Sequence, residues 1–508
     1  MKWVPLIILV TAVTAFGQFH VPPYVQFPTS DAMMVLWLSP TNAPGHLVCR
    51  RAADDASVFS FDTHPRRAEA LGYVKMEVDQ YFGGDDPPLP YQHEVRIAGL
   101  TPDTLYRYTV AQGAATFEGT FRTAPGRDTP VRLIAYADCE TQPSSTGDAV
   151  EWPTPEGDTR RRYPIDQTTG YANNLAVIRS REPNLILIAG DIVQYGNRQL
   201  HWDEFWKHNT NLDPALSTAG SIPILPALGN HDYVYDQFFG FAVDDASANR
   251  YLTYFRVPDS GVSPPEYRGR FYRLDYGPVS IIALDLNNGR PHRTDRDTNF
   301  MLQSVEEGGR AHVPDFHEGS VQHAWLTQQL ADAQQRSRFT IVLFHHAPYS
   351  MGPHAYPAGM GNGYNTSSGI PARALTPLFM KYGVDAVISG HDEMMARSMV
   401  EGHEQIVDGA MRPHTIQFYD VGIGGDGLRA PSPGIDNPYL QFLAHRDAPE
   451  VWQDGKLIEG GKHYGHLEID VAPDGDKWKA TLTPVYVLPT DDGFERRTYR
   501  DVVTLVGD

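Results

Sequence analysis

Five short segments of this 508-residue chain collect side chains able to hold metal ions or move protons. "YADCE" carries Asp138 with Glu140 two residues on, and "IAGDIVQYG" carries Asp191. "ALGNHD" brings Asn230, His231 and Asp232, "LFHHAPYS" brings His345 and His346, and "ISGHDE" brings His391, Asp392 and Glu393. Each segment alone has an ordinary explanation. An Asp after an apolar run is often a turn or a helix cap, and a His pair is often satisfied by packing. Together they would need five unrelated explanations. Oxygen and nitrogen donors arriving from four or more separate segments are what a pair of divalent or trivalent metal ions requires.

These side chains need elements that end at one place. Each segment closes an apolar, strand-like run: "VRLIAYAD", "NLILIAGD", "ILPALGN", "FTIVLFHH" and "AVISGH", with "VSIIALD" as a sixth strand. Helix-like stretches lie between them. In "VQHAWLTQQLADAQQ", Trp325, Leu326, Leu330 and Ala331 share one helix face, and "ARALTPLFMKYG" predicts a helix ending at Gly383. The alternation predicts a layered α/β architecture. In open α/β sheets, ligands bind beyond the carboxyl ends of the strands. From about 410 the alternation fades, and "YGHLEIDVAP", "WKATLTPVYVL" and "RDVVTLVGD" read as closing strands.

The first part of the chain reads differently. Residues 1–17 combine Lys2, a short apolar segment and small residues before Gln18, the pattern of a signal peptide. Residues 18–123 predict an all-β sandwich, with Trp37 in its core and Tyr106, Tyr108 and Val110 alternating inward. Residues 124–130, "APGRDTP", form the linker, and 131–508 the second domain. No later segment is long enough to span a membrane. The formal charge of -20 disfavours nucleic acid as a partner. Cys49 and Cys139 are expected to be buried, unpaired thiols, and the location secreted or periplasmic.

The ordered blocks resemble the calcineurin-like metallophosphoesterase superfamily, with its signature D-x-[GH], GD-x-x, GNH-[DE], a His after an apolar strand, and GH-x-H. The resemblance covers about 130 to 400. "GLTPDTLYRYTV" resembles fibronectin type III repeats and the N-terminal domain of purple acid phosphatases, so the mature chain looks purple-acid-phosphatase-like. The resemblance implies a double β-sandwich flanked by helices and holding two metal ions, expected to be Fe, Mn or Zn. It implies Asp138 on the first metal, Asp191 bridging both, and Asn230, His345 and His391 on the second. His231 would contact the phosphoryl group and help the leaving group depart. His345 is preferred to His346 by the V-x-x-H spacing, with His346 as the alternative ligand or a substrate contact. His354, in a loop rich in Gly and Pro, is a further substrate contact or a solvated loop residue. The implied reaction is hydrolysis of a small phosphate mono- or diester by in-line attack of a metal-activated water.

Three positions depart from the relatives. Gln194 stands where purple acid phosphatases have a metal-binding Tyr, and Tyr195, one residue late, is expected to be a packing residue. The same turn lacks the Asp-Arg of calcineurin-type protein phosphatases. Glu393 replaces the second His of GH-x-H, and Glu140 stands where D-x-H relatives offer a His. A first site built from Asp138, Asp191, Glu140 and Glu393 would favour hard ions such as iron, manganese or magnesium, with zinc possible at the His-containing second site. Asp232 and Asp392 are expected to orient neighbours, and Arg397 to make a salt bridge on a helix surface. The competing reading is a non-catalytic binding or adhesion protein on a degraded phosphatase scaffold.

Overall fold

The computed structural model describes residues 19–507 apart from 57, 154–159, 238–239, 244, 290–297, 300–301, 358–366, 407–408 and 455. The expected signal peptide lies outside the described residues.

The short strands of the N-terminal region pair into two four-stranded antiparallel sheets. Leu105–Gln112 alternates as its sequence predicts, with Tyr106, Tyr108 and Val110 buried. The strand Ala32–Ser39 is buried along its whole length. Met33, Val35 and Trp37 enter the sandwich core, while Met34, Leu36 and Leu38 pack with Trp202, Phe205 and Trp206 of the helix Gln199–Asn209. A strand covered on both faces needs apolar residues at every position, which is why "AMMVLWLS" does not alternate. The helix Lys75–Tyr81 adds a polar tie. Its Glu77 carboxylate accepts the backbone N–H groups of Gln199 and Leu200 at 3.2 and 2.8 Å. These are orphan donors at the start of a helix, capped by a different part of the chain.

Beyond residue 130 two seven-stranded mixed sheets face each other. In the first, Val131–Tyr136, Leu185–Ile188 and Ile224–Pro226 run parallel, and Gly465–Asp474 and Lys477–Thr490 extend the sheet as closing strands. In the second, Val279–Ala283, Phe339–His346, Ala386–Gly390 and Met411–Val421 run parallel. Leu133, Leu187 and Leu225 meet Ile281, Ile341 and Ile388 in the core between the sheets. The alternate residues point outward under helices. Ile134, Ile186 and Ile188 pack with Tyr171 and Leu175 of Gln167–Ser180; Ile282, Val342 and Val387 pack with Trp325, Leu326 and Leu330 of Val321–Arg336. This is an N-terminal β-sandwich followed by a double β-sandwich flanked by helices.

Two local expectations are corrected. The helix over "ARALTPLFMKYG" divides into a 3-10 turn, Ile370–Leu375, and a short α-helix, Thr376–Lys381, because Pro371 and Pro377 each remove a backbone donor. Arg397 lies on the strand Met395–Gln405, not on a helix, and makes a two-pronged ion pair with Asp501 at 2.6 and 2.7 Å. Cys49 and Cys139 are buried and unpaired. No helix among the described residues is long and apolar enough to cross a membrane.

Candidate metal centre

The parallel strands of both sheets end at the same edge, and there the polar residues meet. Along Phe339–His346 the alternation sends Ile341 and Leu343 to the core between the sheets and Val342 and Phe344 under the helix. His345 follows the first set and faces the other sheet. Its Nδ1 donates to the Ala189 carbonyl at 2.9 Å. A carbonyl only accepts, so this bond fixes the proton on Nδ1 and leaves Nε2 of the neutral ring as a lone pair. That Nε2 lies 2.9 Å from Asn230 Oδ1, 2.9 Å from Asp191 Oδ2 and 3.1 Å from His391 Nδ1. His391 is fixed the same way, since its Nε2 donates to the Ser367 carbonyl at 3.0 Å. Four acceptors therefore converge with no hydrogen between them. A cation satisfies all four at once. Without one a proton takes its place: burial opposes charge on His345, but Asp191 and then Asp138 raise its pKa to about 9.

The turns that present these groups are strained. Asp138, Asp191, His391 and Glu393 all have positive φ, at 53, 49, 80 and 49°. Non-glycine residues adopt that region at a cost, and such residues collect at functional sites. The residue before His391 must be glycine, because a Cβ on Gly390 would collide with the Asp138 carboxylate. Both Asp138 oxygens accept the His391 backbone N–H, at 3.1 and 2.9 Å. Asp191 Oδ1 accepts the His231 N–H at 2.8 Å. Asp232 ties two turns together by accepting from Gly229 and Ile192, and Asp392 accepts from the His354 N–H.

A second group of donors lies alongside. Ligand-capable atoms of Glu140, Asp191 and His231 lie within 4.8 Å of one another, as do those of Glu140, Glu393 and Asp426. Glu140 Oε2 is buried and has no hydrogen-bond partner. Burial pushes the Asp138 and Glu140 carboxyls well up, and neighbouring carboxylates add to it. Burial also dominates at Glu393, whose pKa is raised to about 8 although Arg429 opposes the rise. Asp191 is the exception: burial acts to raise it, yet His345 and His231 hold it well below the carboxylate range. Carboxyls kept from ionising by burial and by one another fit sites that take up cations.

The remaining histidines surround this centre. His231 is half-buried, with Nδ1 2.8 Å from Gln194 Nε2 and 3.0 Å from the Gln194 carbonyl. Gln194 thus orients His231. Tyr195 points elsewhere, edge-on to His201 and under Arg198. His346 is fully buried on the opposite face of its strand, bonded through Nε2 to Ser367 Oγ at 2.9 Å. His354 stacks on His391 with ring centres 3.7 Å apart, donates from Nδ1 to the Ser367 carbonyl at 2.8 Å, and meets Arg429 at 3.1 Å.

Three participants escaped the sequence reading: Ser367, Asp426 and Arg429. The last two lie in "GIGGDGLR", directly after the strand Met411–Val421. A glycine-rich run bearing both charges behind an apolar strand was a usable signal. Ser367 had none, because its bonds to His354 and His391 use a carbonyl that every residue possesses.

Fold and site together define a double-sandwich protein with a cation-binding centre at the strand ends. Residues 164–393 match the family model for calcineurin-like phosphoesterases. An uncharacterised protein of Mycobacterium tuberculosis is 30% identical over 316 residues, 60% of this chain and 50% of the relative. The chain thus spans about half the length of the mycobacterial proteins it matches. An acid phosphatase of Aspergillus ficuum is 23% identical over 410 residues, 64% of this chain and 63% of that protein. Among solved structures, the purple acid phosphatase PPD1 from yellow lupin seeds superposes with a TM-score of 0.61 at 16% identity, covering 95% of this chain and 73% of its own. PhoD superposes at 0.58 and 15% identity, covering 96% and 90%. At those identities the likeness shows the fold.

Proposed function

We propose that this protein hydrolyses phosphate mono- or diesters at a dinuclear metal centre, as an exported enzyme. The observation that carries the reading is the meeting of His345 Nε2, His391 Nδ1, Asn230 Oδ1 and Asp191 Oδ2 as four acceptors with no proton among them. In this reading His345, His391 and Asn230 hold one metal ion, Asp191 both, and Asp138 and Glu140 the other. The ions are Fe, Mn or Zn. Bound there, they supply Lewis acidity for the phosphoryl oxygens and lower the pKa of water.

The chain's own residues do the rest. Ala189 and Ser367 carbonyls hold the imidazoles in the tautomers that present lone pairs. Gln194 holds His231 at the open side, where its Nε2 can donate to a phosphoryl oxygen or to the departing alkoxide. His354 lines the substrate side of His391, and the buried His346 packs against His391 from behind the strand. The N-terminal segment supports a secreted or periplasmic location.

The test is metal analysis coupled to assays on an aryl phosphate monoester and diester. The expected result is about two metal ions per chain and turnover that a chelator removes and reloading restores. One observation favours the non-catalytic reading, the ion pair that Glu393 forms with Arg429 where relatives place a His. Full metal loading without hydrolysis of either ester would decide for that reading.

A further inference from the structure

We propose that Arg429 is a substrate-binding residue of this centre, gripping an oxygen of the phosphoryl group, and that Glu393 anchors Arg429 instead of ligating a metal ion. The proposal rests on the phosphoesterase reading above and assigns it a residue that neither motif nor spacing pointed to.

The loop carrying Arg429 is built onto the centre. Gly424 donates to the Ala137 carbonyl at 2.9 Å, and Gly425 and Asp426 donate to the Asp138 carbonyl at 2.9 and 3.0 Å. It therefore rides on the same turn that presents the Asp138 carboxylate. Lys462 Nζ holds the Leu428 carbonyl at 2.9 Å, one residue before Arg429. Gly427 passes so close over Glu393 that a Cβ there would collide with the carboxylate. The Arg429 backbone N–H donates to the Glu393 carbonyl at 3.0 Å, and its guanidinium makes an ion pair with the Glu393 carboxylate.

These contacts aim the guanidinium and leave it reachable. The Glu393 side chain is 6% exposed and that of Arg429 is 37% exposed, so the pair is rooted inside and opens outward. The other prong, Nη1, reaches His354 Nε2 at 3.1 Å, and His354 stacks on His391. Arg429 thus stands one imidazole away from the proposed second metal. A guanidinium has five donors in a fixed fork, more than these two contacts use, and the fork matches phosphate geometry.

The charge around it supplies the reason. Asp191, Glu140, Glu393 and Asp426, with Asp138 interacting with the first three, form an acidic wall in an already acidic chain. A phosphorylated substrate approaching that wall is repelled except where a cation faces it. Glu393, in direct ion pair with Arg429, already has its counter-charge. That separates it from Glu140, whose buried Oε2 has no hydrogen-bond partner.

The test compares metal-loaded wild type with Arg429→Ala, Arg429→Lys and Glu393→Gln, using inorganic phosphate as the probe. Metal stoichiometry is expected to stay unchanged in all three. Arg429→Ala is expected to weaken phosphate binding and raise KM by about tenfold or more, the scale of one charge-assisted hydrogen bond, with partial recovery in Arg429→Lys. Glu393→Gln is expected to weaken phosphate binding less than Arg429→Ala. Loss of one metal equivalent in Glu393→Gln would overturn the proposal, and so would an unchanged phosphate affinity in Arg429→Ala. Arg429-dependent phosphate binding in a protein that cleaves no ester would leave this proposal standing and remove the phosphoesterase reading. Ester cleavage with Arg429-independent phosphate binding would do the reverse.

Discussion

In the N-terminal sandwich His93 stacks on Trp37, with ring centres 4.6 Å apart, and both its ring nitrogens meet hydroxyls, Thr63 Oγ1 at 2.7 Å and Ser39 Oγ at 2.9 Å. At the strand ends of the second domain His345 and His391 each satisfy one nitrogen outward and turn the other toward a neighbour that only accepts. All three imidazoles are buried. The difference lies in their partners. A hydroxyl can donate or accept, so the sandwich cluster closes on itself and asks for nothing more. A carboxylate, an amide oxygen and two imidazole lone pairs cannot close without a cation. Burial and polarity alone therefore do not mark a candidate ligand histidine in this molecule; unmet convergence does.

The comparison breaks most sharply at Asp191. Asp191→Ala is expected to lower ester turnover by on the order of a thousandfold, the cost of losing several kcal/mol of metal-borne transition-state stabilisation. Metal content should fall with it, while far-UV circular dichroism stays that of the wild type. Retained turnover in that variant would remove the proposed centre.

His93 should behave in the opposite way. Burial lowers its pKa to about 4, so the folded ring stays neutral where an unfolded His takes up a proton. The unfolded chain then binds more protons between pH 6.5 and pH 4, and stability falls as pH drops through that window. The contribution is on the order of 3 kcal/mol at the acid end. Denaturant melts of wild type and His93→Gln should show it as a pH dependence present in the first and reduced in the second. Turnover per folded molecule should be equal in both. An equal pH dependence would mean that His93 is not the group responsible.

The smallest effect is expected at Arg397, a charged residue near the centre in sequence and outside it in space. Arg397→Ala removes the two-pronged contact with Asp501 and should cost about 1 kcal/mol of stability, with KM for an aryl phosphate unchanged. A KM shift matching that of Arg429→Ala would erase the distinction between a structural guanidinium and a substrate-binding one.

Much of the architecture was legible before folding. The six apolar runs, the helix around Trp325 and the closing strands all form where pattern placed them, since burial on two faces or one writes itself into local periodicity. Helix ends near proline were less legible: the donors lost at Pro371 and Pro377 changed the kind of helix without changing its apolar face. At the centre, the residues that end strands were readable one by one. Their partners were less so. Ser367 works mainly through a carbonyl, and Gln194 looked like the absence of a Tyr until its bond to His231 was seen.

What the sequence determined by itself is therefore the set of donors and the strands that carry them, because strand period and strand-end turns depend only on near neighbours. Only the tertiary structure decided which donors face one another. The closure of two sheets turns His345 toward Asp191 and Asn230 and leaves His346 behind the strand. The close passage of Gly427 over Glu393 brings Arg429 to a carboxylate in a different loop. Whether a buried charge meets a metal, a proton or a guanidinium is settled by contacts between distant segments, and no local pattern encodes them.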